Sequence, residues 1–274
     1  MSHTIGIISI KGGVGKTSAV GAIGASLAND FGKKVLLVDA NFSAPNLGLQ
    51  LGLYNPEATL HHVIEGKIEL KDAIYETGYG FDVVAGSSRY RNINPFKLSE
   101  KLRDAKKKYD VILIDSSPAM NEEILATIIA SDELLMVTTP DHVTLNSTLR
   151  AIKLAKEKRT PIAGLILNKV HNKNFEVSMK DIETATGVNV LAVLPHEIEV
   201  LESLSKSMPS TLYKNSASSK EYKKLAACLI GEDLKSGKWE RFKSIFTSLT
   251  GKIDKQEVNR ALHKNNILTN PFRR

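Results

Sequence analysis

Residues 7–18 read I-I-S-I-K-G-G-V-G-K-T-S, and the rest of the chain is organised around them. A β-rich apolar run (Ile5, Ile7, Ile8, Ile10) stops at Gly12-Gly13, and Gly15 leads into Lys16-Thr17 and a helix-like segment. Strand, glycine loop and helix start are the parts of a phosphate cradle. Glycines let backbone N–H groups close on an anion, and the helix N-terminus adds partial positive charge. In that pattern Lys16 reaches the β- and γ-phosphates and the Thr17 hydroxyl ligates Mg²⁺. Gly12, Gly13, Val14, Gly15 and Ser18 complete the expected phosphate-binding set.

The ordinary P-loop would begin with a glycine at the place of Ile10, whereas here an additional lysine, Lys11, opens the loop. The run K-G-G-V-G-K-T-S (11–18) resembles the deviant Walker A motif of the MinD/ParA family of ATPases. That resemblance implies ATP and Mg²⁺ as cofactors. It also implies a homodimer that sandwiches the nucleotides, with Lys11 reaching the partner's phosphates.

The second strand runs into V-D-A-N-F-S-A-P-N-L-G-L-Q-L-G (38–52). Asp39 sits where a carboxylate organises the Mg²⁺ shell or the attacking water. Family members commonly carry a second Asp two residues later, and this chain has Asn41. A neutral amide orients water but cannot accept its proton, so slow hydrolysis, raised by a protein activator, is expected. Lys11, Lys16, Asp39 and Asn41 are the candidate catalytic residues. The apolar run 111–114 ends at Asp115, a Walker B pattern that places a third group, after Thr17 and Asp39, near the metal. In the family the segment after it, here 116–121, senses the γ-phosphate. The stretch V-T-T-P-D-H-V-T-L-N-S-T (137–148) resembles another family segment and reads as a loop and cap before a helix, with His142 a solvated residue at its start.

The strand at 162–167 delivers Asn168-Lys169-Val170-His171. A guanine-specific site would have an Asp at 171 to accept from the base, so His171 argues for ATP over GTP. By resemblance, Asn168, Lys169 and the later Pro195, His196 and Glu197 flank the adenine. The pair His61-His62 is far from any ligand cluster and is expected on the surface or in packing. The resemblance spans residues 3–232. P-N-L-G-L-Q-L-G after Asp39 is closer to MinD than to ParA, which typically has D-P-Q-G; archaeal MinD-like proteins and flagellar number regulators share these features.

Strand-like runs at 35–38, 81–84, 111–114, 134–137, 162–167 and 190–193 alternate with helical patterns at 18–31, 97–108, 121–129, 142–156 and 177–185. Alternation of buried strands and helices predicts an α/β fold with a doubly wound, mostly parallel sheet, and a site at the carboxyl ends of its strands. With 42% hydrophobic residues, 274 positions can bury one large core or two small ones. No apolar run approaches a bilayer span, and the strand pattern begins directly after Met1, so neither a membrane span nor a signal peptide is expected. The single cysteine, Cys228, excludes an internal disulfide and reads as a packed thiol, in keeping with a cytoplasmic protein.

Net charge is +7, and its distribution is uneven. Between Lys235 and Arg274 lie ten basic and three acidic residues, which leaves 27 of each in 1–234. The expected division is therefore a P-loop ATPase domain over 1–234 and a basic amphipathic extension over 235–274. Trp239, Phe242, Ile245, Phe246 and Leu249 recur at helical spacing among Lys238, Arg241 and Lys243, the pattern of an interfacial membrane helix. Peripheral attachment to an anionic membrane is the first expectation. Packing against the body or a second subunit, and nucleic-acid binding as in a ParA-type partition ATPase, are the others. The functional expectation is an ATP-dependent dimerising switch for spatial positioning in the cell, such as in division, with an unidentified protein activator or cargo. A nearly non-hydrolysing scaffold is the remaining alternative.

Overall fold

Aliphatic strands without alternation must be covered on both faces, which helices accomplish only around a parallel sheet. The computed structural model describes residues 2–87, 93–232 and 255–269. Its strands are β1 (His3–Ile8), β2 (Val35–Ala40), β3 (Tyr75–Glu76), β4 (Asp82–Val84), β5 (Val111–Ser116), β6 (Glu133–Thr138), β7 (Ile162–Val170) and β8 (Val190–Pro195). They form one sheet in the order β3-β4-β2-β5-β1-β6-β7-β8. Every pairing is parallel except β3 with β4. The doubly wound α/β fold expected from the sequence is the fold observed. The antiparallel β3 has no counterpart in the sequence pattern, because two residues carry no periodic signal.

Alternate residues feed opposite layers. Leu37, Leu113 and Leu135 point to the side covered by α1 (Lys16–Asn29), α2 (Leu47–Gln50) and α10 (Ala217–Leu229), where Ile23, Leu27, Leu47, Leu225 and Leu229 meet them. Leu36, Val38, Ile112 and Ile114 point the other way, onto α3 (Leu60–Glu65) and α4 (Leu98–Lys101). Ile8, Leu134, Met136 and Leu165 pack beneath α5 (Glu122–Ala130), α6 (His142–Glu157) and α7 (Met179–Thr186). Side chains set the helix starts. Asn121 accepts from the N–H groups of Glu123 and Ile124, Asp141 from Thr144, and Ser216 from Ser219. Each such cap contributes about 1 kcal/mol.

One expectation about helices is corrected. The segment 97–108 is not one helix: a 3₁₀ turn (Pro95–Lys97), α4 and a second 3₁₀ turn (Ala105–Lys107) take its place. Leu98, Leu102 and Ala105 reach the core at helical spacing, but the N–H groups of Arg103, Lys107 and Lys108 bond three residues back, which tightens the stretch into 3₁₀ turns. After β8, beyond Pro195, His196 and Glu197, come two helices that the sequence reading does not name, α8 (Ile198–Ser205) and α9 (Ser210–Tyr213).

The helix Lys255–Thr269 lies against α10 and along β8. β8 ends the strand order, so its outward carbonyls need partners. Asn259 Nδ2 donates to Val190 O (3.0 Å) and Arg260 Nη1 to Leu191 O (2.9 Å). Arg260 also pairs with Glu221 and Glu257, and Lys255 with Glu183. These two basic residues of the extension are thus engaged by carboxylates and form part of the body. Cys228 lies under this helix, its Sγ 3.6 Å from Arg260 O; burial pushes its thiol up to about 12, so it stays protonated and unreactive. Among the described residues no helix is long and apolar enough to cross a membrane. The stripe Trp239, Phe242, Ile245, Phe246 and Leu249 lies outside the described residues.

Candidate functional site

The loop between β1 and α1 turns on two glycines with positive φ, Gly13 (76°) and Gly15 (98°). A second constraint acts at Gly15: a Cβ there would stand 2.3 Å from Asn168 Nδ2 and would have to displace that amide. The same Asn168 amide donates to Val14 O (2.7 Å), and Lys169 Nζ donates to Gly13 O (2.7 Å). The end of β7 therefore holds the loop open from the side, with Lys169 itself in the left-handed region (φ 57°). Both residues are expected at the adenine. They do line the cavity, and each also gives one hydrogen bond to the loop backbone.

A cavity of about 330 Å³ opens above the carboxyl ends of the strands. One end is walled by Gly12, Gly13, Gly15, Lys16, Thr17 and Ser18, with Asn41 and Pro118 beside them. The other is walled by Asn168, Lys169, Pro195, His196 and Glu197. Val14, Lys11, Asp39 and Asp115 do not line it. Val14 is buried in the core. Glu197 serves mainly as a cap, accepting from the N–H groups of Ala217 (3.1 Å) and Ser218 (2.9 Å) at the start of α10.

Beneath the loop lies a buried charge cluster. β2 and β5 run in register so that Asp39 pairs with Asp115, and both carboxyls are sealed from solvent. Burial raises the Asp39 pKa and Asp115 repels its charge further, against N–H groups of Leu47, Asn41 and Asn46. Burial likewise raises Asp115, opposed by Lys16 and the Thr17 hydroxyl. Burial lowers Lys16, while Asp115 and Asp39 act to keep it charged. Asp115 Oδ1 is buried with no hydrogen-bond partner among the described residues. An orphaned carboxylate oxygen beside a hydroxyl fits Mg²⁺, which accepts one or two protein oxygens and completes its shell with water and phosphate. Among the described residues no group of three or more His, Cys, Asp or Glu could hold a metal ion.

Asn41 sits at the phosphate end. Its Nδ2 donates to Ala44 O, and its Oδ1 is buried without a partner among the described residues. Lys11 lies outside the cavity. Its Nζ reaches Thr144 Oγ1 (2.8 Å) and Asp141 Oδ1 (3.4 Å) at the start of α6. Burial opposes the Asp141 charge, but hydrogen bonds from Thr139 and Thr144 and the Lys11 ammonium hold its carboxyl well below the usual range. His142 is exposed, as expected for a helix start. His61 is fully buried, its Nε2 donating to Phe42 O (3.1 Å), a packing role.

A protein-family model described as an AAA domain matches residues 2–163. An uncharacterized ATP-binding protein of Methanocaldococcus jannaschii is 35% identical over 235 residues, 84% of this chain and 89% of that one. The chain belongs to the MinD/ParA family of P-loop ATPases. The septum site-determining protein MinD of Pyrococcus horikoshii, solved with Mg-ADP, superposes with a TM-score of 0.79 at 30% identity, over 84% of this chain and 96% of that one. MinD from the Aquifex aeolicus MinC:MinD cell division complex gives 0.77 at 26% identity, over 86% and 98%.

Within the MinD/ParA frame, several wall residues escape a reading of the sequence. Asn46 and Gln50 come from the turn after β2 and from α2, Val200, Leu201 and Leu204 from α8, and Ser218 and Tyr222 from α10. The apolar spacing 200, 201, 204 is a legible helix signal. Ser218 and Tyr222 have none, because they lie on the side of α10 that tertiary packing turns to the cavity.

Proposed function

We propose that this chain is an ATP-driven dimerising switch of MinD type that hydrolyses ATP slowly and works at a membrane surface. The observation that carries this reading is the division of labour between two loop lysines. Lys16 is buried in the cavity floor against Asp39 and Asp115, whereas Lys11, three residues before Val14, lies outside its own cavity and keeps 40% of its side chain exposed. An ammonium that its own pocket does not use, and that Thr144 and Asp141 hold at the start of α6, would exchange those partners for the triphosphate of a second copy. Asp39 and Asp115 would hold Mg²⁺ with Thr17, and the ion would neutralise charge on the β- and γ-phosphates. Lys16 and the loop N–H groups would fix the phosphates, and Asn41 would orient the water without taking its proton. The Mg-ADP in the P. horikoshii relative and the MinC bound to A. aeolicus MinD support nucleotide use and a protein partner.

Sizing of the protein in ATP with Mg²⁺, in ADP and without nucleotide tests this. Only wild type in ATP should double in mass, and Lys11→Ala should remain a monomer while still binding ATP. A Lys11→Ala dimer would sink the sandwich.

The stripe from Trp239 to Leu249 is the proposed membrane contact, with 1–234 as the ATPase body. One amphipathic helix binds weakly, and pairing two in a dimer raises affinity by orders of magnitude through effective concentration, roughly 10²–10⁴-fold. Because the helix Lys255–Thr269 packs on the body, the tail should be tested by substitution, not deletion. Anionic vesicles should pellet wild type with ATP, and Trp239→Glu with Phe242→Glu should stay in the supernatant. Equal pelleting would remove the membrane from the proposal.

A further inference from the structure

The sequence N-K-V-H at 168–171 would suit guanine if its last residue were a carboxylate, and the structure shows what an imidazole does there instead. β7 and β8 are neighbours, so the residues that follow them leave the sheet side by side. The His196 N–H donates to Val170 O (3.0 Å). The two imidazole rings, of His171 and His196, lie 4.8 Å apart and are inclined by 34°. His196 lines the cavity with Pro195 and Glu197, whereas His171 does not line it and reaches it only through the His196 ring. The loop carrying His171 is itself fixed, because Glu176 accepts from the N–H groups of His171 (2.8 Å) and Lys173 (3.1 Å).

We propose that His171 is a positioning residue for the nucleotide base: its ring props the His196 ring as a flat wall on which a purine stacks. The proposal rests on the reading of this cavity as an ATP site. An unsupported imidazole at a cavity rim samples several rotamers, and a purine that binds against it must first order it. An inclined aromatic pair removes that cost in advance, and such pairs are worth enough to matter at this scale. The nearby carboxylates do not offer an alternative mode of base recognition. Glu197 is engaged by the start of α10 and Glu176 by its own loop. The His196 ring, beside the apolar Pro195, Val200 and Leu201, offers the base an aromatic face to stack on.

Competition of ATP and of inorganic tripolyphosphate against a fluorescent ATP analogue separates the base from the phosphates. His171→Ala should weaken ATP about three- to tenfold and leave tripolyphosphate within about twofold of wild type. His171→Phe, which keeps a ring behind His196, should restore ATP binding. Unchanged ATP affinity in His171→Ala, an equal loss for ATP and tripolyphosphate, or no rescue by Phe would each overturn the proposal. A wild-type protein that binds neither compound would instead remove the nucleotide reading itself.

Discussion

Lys16→Ala is expected to cut ATP turnover by at least about a hundredfold, the scale on which a single preorganised charge donor acts. Lys16 is buried where the loop meets the Asp39–Asp115 pair. Among the described residues the one other lysine lining the cavity is Lys169, whose ammonium is bonded to Gly13 O. The substitution also strips two sealed carboxylates of their nearest cation. Their pKa values, already raised by burial, should rise further. A carboxyl raised in the folded state contributes a cost that grows as pH climbs through the usual carboxylate range toward its folded value. The variant should therefore lose more melting temperature than wild type between acid and neutral pH in the absence of nucleotide. Phosphate release and thermal melts across that range provide the two readouts. Turnover near the wild-type level would remove Lys16 from the site.

The second large effect is a gain. Asn41→Asp should raise turnover by about tenfold or more, because a carboxylate beside the phosphates can take the proton that an amide cannot. The same change adds a third carboxyl within two residues of Asp39 and removes the amide donor to Ala44 O. The unliganded protein should melt at a lower temperature, and Mg²⁺ with nucleotide should recover part of the loss. Faster hydrolysis at reduced stability would show that Asn41 limits proton removal from the attacking water. An unchanged rate would place the slow step elsewhere.

The P-loop is legible in the sequence because its chemistry is local: three glycines, a lysine and a threonine must be adjacent to cradle one phosphate. The parallel sheet is legible because strands buried on both faces leave uninterrupted aliphatic runs such as V-L-L-V and V-I-L-I. What cannot be read there depends on contacts between distant segments. Family resemblance puts Asn168 and Lys169 at the base, and both line the cavity; no local pattern reveals that they also donate to Val14 O and Gly13 O, over a hundred and fifty positions away. The basic composition of the C-terminal segment suggests an anionic partner for all of it. No local pattern reveals that Arg260 reaches Leu191 O and Glu221, or that Lys255 reaches Glu183.

The two flanks of the sheet have different closures with one shared result. On one side a two-residue antiparallel strand is too short to template a neighbour, and on the other a helix occupies the outward carbonyls of Val190 and Leu191. Lateral growth into a ribbon is thereby blocked at both ends.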